Sequence, residues 1–155
     1  MALLLSDHPA VARAAGWTQQ YGIDKLPVTP AAEVAIADVV PVLDIAVLRC
    51  LSEEIDPDGV RAALAVFLRD TPDCLALLRR LSCTRDRARI KDEAHQLKGA
   101  AENFGLSQLA ELAKTLEVCA PTITPSDYVA LLDRLEASFA RGRDEAAALV
   151  ATVLG

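Results

Sequence analysis

From about residue 43 onward, apolar residues recur three and four positions apart, the period of helices that bury one face. Ile45, Leu48 and Leu51 share a face of a short helix predicted from Asp44 to about Glu54. Asp56-Pro57, a capping carboxylate before a proline at the first helical position, opens a long helix. Its stripe is Val60, Leu64, Phe67, Leu68, Leu75, Leu78 and Leu81, in phase on both sides of Pro72, so that proline should kink the helix and not end it. Asp86 is the expected cap of a third segment that stops at Gly105, a residue suited to the position after a helix end. Ser107 is the expected cap of a fourth, with Leu109, Leu112, Ala113 and Leu116 inward and Pro121 as its stop. Thr124-Pro125-Ser126-Asp127 has the form of a capping box. The last helix carries Val129, Leu132, Leu135, Phe139, Ala146, Leu149, Val150 and Val153, with Gly142 as a weak point. No segment alternates with the period of a strand. Short links between long helices make them antiparallel neighbours. The expected fold is all-α: an up-and-down antiparallel four-helix bundle over residues 42–155, with short additional N-terminal helices.

Residues 1–41 follow a different pattern. Val11 to Tyr21, with Trp17, is compatible with a short helix, whereas Pro27, Pro30 and Pro41 make 22–41 a linker or extended arm. That arm is apolar enough to pack against the bundle, or to have joined it to another domain. A length of 155 residues suits one domain, and 52% hydrophobic residues with 4% aromatic ones require an aliphatic core. A net charge of −6 argues against a general nucleic-acid binder. Cys50, Cys74, Cys83 and Cys119 form no C-x-x-C pair, and with two histidines in the chain a zinc cage is not expected. Reduced, buried thiols are the expectation. No basic residue precedes the apolar Met1–Leu5, and no stretch reaches the ~20 apolar residues of a membrane span, so the chain reads as cytoplasmic.

Candidate chemistry is concentrated between Arg89 and Gly105. Ile90, Ala94, Leu97, Ala101 and Phe104 form a bundle-facing stripe, and at about 100° per residue His95 lies about 140° from its centre. His95 therefore points to solvent. Its helical neighbours are Lys91, Lys98, Gly99 and Glu102. Gly99, on the exposed side of the helix, costs about 0.5–1 kcal/mol relative to alanine with no packing reason. A glycine there leaves room for another body to approach His95. A hydrolase triad is a poor alternative, because a lone exposed helix offers no oxyanion hole.

Ala94-His95-Gln96-Leu97-Lys98-Gly99-Ala100-Ala101, followed by Phe104-Gly105-Leu106, resembles the signature of histidine-containing phosphotransfer (HPt) domains of bacterial phosphorelays. The resemblance spans about residues 42–150 and takes in Val42-Leu43-Asp44, Phe67 to Pro72 and Leu109 to Glu117. It implies that His95 is the phosphorylated residue, through Nε2. It also implies that donor and acceptor are aspartates of receiver domains, one in a hybrid sensor kinase and one in a response regulator. The Mg²⁺ that transfer needs would sit on the receiver, so no cofactor is expected on this chain. Residues 1–41 match nothing in the family.

A neutral imidazole keeps one ring nitrogen free as a nucleophile. Lys98, helped by Lys91, would offer positive charge to the phosphoryl oxygens, and Gly99 would clear space for the partner. Gln96, Ala88 and Glu102 are candidates for touching the partner or the phosphoryl group. No G-x-x-x-x-G-K motif is present, so the chain is read as a shuttle without ATP-dependent kinase activity, acting as a monomer. Two alternatives stay open at this level. One is a bundle that binds and sequesters a response regulator without turnover. The other is a structural bundle that oligomerises through its apolar arm.

Overall fold

The computed structural model describes residues 37–153, which contain helices and no strands. The elements are α1 (Ile45–Glu54), α2 (Pro57–Arg80), α3 (Arg87–Asn103), α4 (Ser107–Cys119) and α5 (Pro125–Val153). The four long helices close a ring, with α2 against α3, α3 against α4, α4 against α5 and α5 back against α2, while α1 packs on α2. Antiparallel order is fixed by contacts between opposite ends. Arg87, at the start of α3, donates to the carbonyls of Ala120 and Ile123 beyond the end of α4 (2.8 and 3.3 Å). Tyr128, at the start of α5, donates its hydroxyl to the carbonyl of Leu78 near the end of α2. The described residues thus form the expected all-α bundle. None of their helices is long and apolar enough to cross a membrane.

Local signals account for most of the helix ends. Asp44 Oδ1 accepts from the amide of Ala46, and Asp56 Oδ1 accepts from that of Gly59 (3.1 and 2.7 Å). Thr124 Oγ1 accepts from the amide of Asp127 (3.2 Å). Helix α2 continues through Pro72, which is exposed, and the Thr71 hydroxyl donates to the carbonyl of Phe67 at 2.7 Å. Asp86 flanks α3, but its carboxylate accepts from the backbone of Ser82 on the preceding turn and caps no α3 amide. Ser107 is the first residue of α4, not its cap; Leu106 takes that place.

The core is aliphatic, with Leu48, Leu64, Leu78, Ile90, Leu109, Leu112, Leu116, Leu132 and Leu135 almost fully enclosed. Two stripe assignments are corrected. Ile45 is 43% exposed because α1 turns Leu48 inward, and Val129 is 51% exposed because Tyr128 and Leu131 occupy the inner face of α5. The cysteines are free, but only Cys83 is buried; Cys50 is exposed on the outside of α1. Helix α4 is enclosed well beyond its apolar stripe, with Gln108, Glu111 and Thr115 also buried. Gln108 explains part of this. Its amide donates to the carbonyl of Pro41, its side-chain nitrogen donates to that of Ala37, and its side-chain oxygen accepts from Arg141 (3.1, 3.3 and 2.8 Å). The end of the N-terminal arm is therefore sewn onto α4, and Ala37, Val40 and Leu43 join the buried set. The short helix expected at Val11–Tyr21 lies outside the described residues.

Two glycines answer different demands. A Cβ on Gly142 would meet Leu106 Cδ2 at 2.7 Å, so this glycine lets α5 close on the α3–α4 turn, and the helix continues through it. A Cβ on Gly99 would meet nothing within 4 Å. Gly142→Ala is expected to cost about 1–3 kcal/mol by overpacking. Gly99→Ala should gain about 0.5–1 kcal/mol in helix propensity. Urea denaturation of both variants checks the opposite signs.

Candidate functional site

The link between α3 and α4 is three residues, Phe104-Gly105-Leu106, and it sets the register of the pair. Gly105 has φ +75°, and a Cβ there would lie 2.5 Å from the carbonyl oxygen of Asp44. Only glycine fits this left-handed, crowded position. Its own carbonyl accepts from the amide of Asp44 at 2.7 Å, which ties the entry to α1 to the same turn. Two antiparallel helices leaving one turn bring together residues at similar distances from it. His95 precedes Gly105 by ten positions and Glu117 follows it by twelve, about 15 and 18 Å along their helices at 1.5 Å per residue.

They meet. His95 is exposed, with 65% of its side chain accessible, and its Nδ1 lies 2.7 Å from Glu117 Oε1. The second carboxylate oxygen of Glu117 lies 3.0 Å from Lys98 Nζ. Glu117 itself is 17% accessible and is shared by the two. Burial pushes the Glu117 carboxyl up, but hydrogen bonds from Lys98 and His95 and their charges outweigh it and hold the group below its usual range. An ionised carboxylate can only accept, so Nδ1 must carry the proton in the neutral ring. The lone pair is left on Nε2.

Of the residues proposed from sequence, His95 and Lys98 are brought together through Glu117. Gly99 faces open space one turn on, and Gln96 is exposed. Lys91 and Ala88 are exposed on the earlier turns of α3. Glu102 is partly buried, and its carbonyl accepts from the amide of Gly105 at 3.2 Å. On the side facing α2, Gln96 and Ala100 border a groove of about 350 Å³ whose floor includes Phe67, Leu97 and Phe104. Phe67 and Phe104 pack with ring centroids 5.2 Å apart, and Phe104, expected in the bundle-facing stripe, is half-buried at the groove floor. Glu117 is the residue that sequence reasoning missed. It was visible as part of the Leu109–Glu117 resemblance, but its role depends on the hairpin arithmetic around Gly105.

The lowered Glu117 carboxyl makes stability depend on pH. Its stabilising contribution should be fully present above its unfolded value of about 4.3 and lost as pH falls through the lower, folded value. Denaturation of wild type and Glu117→Gln between pH 3 and 7 checks this, with the variant's deficit shrinking toward the acid end.

The Hpt domain family matches residues 62–149, a span that contains His95, Lys98, Gly105 and Glu117. The phosphorelay protein LuxU of Vibrio vulnificus strain YJ016 is 32% identical over 89 residues, covering 55% of this chain and 77% of that protein. LuxU of strain CMCP6 matches to the same extent. No solved structure gives a significant match. With its helical bundle, its outward histidine and a family match over more than half its length, the chain belongs to the Hpt domain family.

Proposed function

We propose that the chain is a histidine phosphotransfer protein of a phosphorelay, and that His95 carries the phosphoryl group between receiver-domain aspartates. The observation that carries this reading is the geometry of one ring: His95 is exposed, with Nδ1 held by Glu117 and Nε2 directed away from that bond. In the forward step the Nε2 lone pair attacks phosphorus of an aspartyl phosphate. The N–P bond forms, the P–O bond to the aspartate breaks, and the carboxylate leaves with its electron pair. The product ring carries a positive charge, because Nδ1 keeps its proton, and the Glu117 carboxylate is its counter-charge. The reverse step returns the phosphoryl group to a second aspartate through the same atoms.

Lys98 has three N–H donors, and one engages Glu117, so two are free to meet the phosphoryl oxygens. Positioning and charge stabilisation of this kind supply most of the catalysis in phosphoryl transfer. The absence of a side chain at Gly99 leaves the approach to Nε2 open. In this reading the metal ion belongs to the receiver, and the chain acts as a monomer in the cytoplasm, where its receivers are. One receiver is that of a hybrid sensor kinase and the other that of a response regulator. A purely sequestering bundle would have no use for a nucleophile whose free nitrogen is set by a half-buried carboxylate.

Incubation with a phosphorylated receiver should place an acid-labile, base-stable label on wild type and none on His95→Gln. Lys98→Ala should slow transfer about tenfold or more, equivalent to about 1.4 kcal/mol of transition-state stabilisation. Labelling of His95→Gln at the wild-type rate would end the assignment of His95.

A further inference from the structure

The groove between α2 and α3 is apolar at its floor and acidic at its rim. Phe67, Leu97 and Phe104 form the floor, Val66 stands 46% exposed at one edge, and the carboxylates of Asp70 on α2 and Glu93 on α3 border the opening. Among the described residues, no close ion pair beyond that of Arg69 with Asp70 neutralises this rim. Asp70 meets only its neighbour Arg69 at 3.0 Å, an exposed pair of the kind that contributes little. Glu93 faces the groove closely enough that, after burial, its charge is the second cause raising the Cys74 thiol on the groove wall to about 11. The groove is also continuous with the site, since Gln96 and Ala100 belong to it and flank Gly99, beside His95. The surface on the other side of His95 is different, because it carries the ammonium groups of Lys91 and Lys98, the latter bonded to Glu117. The face around the nucleophile is thus divided: lysine ammonium groups stand on one side of His95, and carboxylates line an apolar slot on the side toward α2.

We propose that this slot selects the partner, and that it accepts a receiver domain whose docking surface presents a large apolar side chain flanked by a lysine or arginine. The apolar side chain enters over Phe67 and Phe104. The cation takes Asp70 and Glu93 as counter-charges, which releases Arg69. Complementary charges at an interface rim act chiefly on encounter and on discrimination among partners, whereas the buried apolar contact holds the complex. Receivers with an acidic residue at that place are rejected, because like charges would face each other beside a desolvated slot. This inference rests on the relay reading above and adds to it the chemical character of the preferred receiver.

The test uses the full chain and a panel of purified, phosphorylated receiver domains, with initial transfer rates measured against receiver concentration. For the receiver that labels wild type fastest, Glu93→Lys and Asp70→Lys should each raise KM about fivefold, more than they lower the rate at saturation. Val66→Asp should do the same through the apolar contact, and circular dichroism checks that each variant is folded. Glu145→Lys, an exposed charge reversal on α5 outside the groove, should leave KM at the wild-type value. Reversing the receiver's own basic residue should restore KM with Glu93→Lys. If wild type takes label but Glu93→Lys, Asp70→Lys and Val66→Asp keep its KM, the slot is not the seat of the receiver and the relay reading stands. If no receiver labels wild type, the relay reading falls and this inference with it.

Discussion

Gly105 sits at φ +75° where α3, α4 and the entry to α1 meet. A left-handed residue pressed against the carbonyl of Asp44 admits no side chain, so α3 must reverse into α4 within three residues. That reversal sets which residues of the two helices face each other, and it places Glu117 beside His95. The same turn receives the amide of Asp44 and the side chain of Leu106, which packs into the space left by Gly142. The entry to α1, the α3–α4 hairpin and the middle of α5 therefore converge on one point. Chemistry at His95 is held in place from about 15 Å away, by a residue with no chemical function of its own.

Glu117 then converts register into reactivity. A carboxylate kept ionised by a lysine and an imidazole is an obligatory acceptor, and an obligatory acceptor on Nδ1 decides which nitrogen of the ring is nucleophilic. The outward helix face alone would leave that choice to solvent. With Glu117 partly buried against α3 and Lys98 on its second oxygen, the ring is oriented before any partner arrives. Preorganisation of this kind reduces the ordering needed at the moment of transfer.

The parts of this arrangement that were legible in the sequence are those encoded locally. Asp56-Pro57 and Thr124 with Asp127 mark helix ends through contacts within a few residues, and Gly105 does so through its left-handed backbone; all were readable. The outward placement of His95 follows from five apolar residues on its own helix. Ile45 and Val129 were misplaced because a stripe at a helix end has too few turns to fix its phase, and neighbouring Leu48 and Tyr128 took the inner positions. Ser107 missed the cap by one residue, since the backbone of Leu106, held in the turn, had already set it. The roles of Glu117 and Gln108 were illegible for a different reason: each depends on partners 19 to 71 positions away, and polar residues carry no periodic signal of such pairing. The buried sides of α4 were hidden for the same cause.

Glu117 reserves Nδ1 and leaves Nε2 to react. The most direct measurement is the isomer of phosphohistidine formed on the wild-type chain after transfer from a phosphorylated receiver, read by nitrogen and phosphorus NMR. Phosphorus is expected on Nε2, with Nδ1 still protonated and bonded to Glu117. Phosphorus on Nδ1 would contradict it, because that atom could be reached only if the bond to Glu117 were absent from the reactive state.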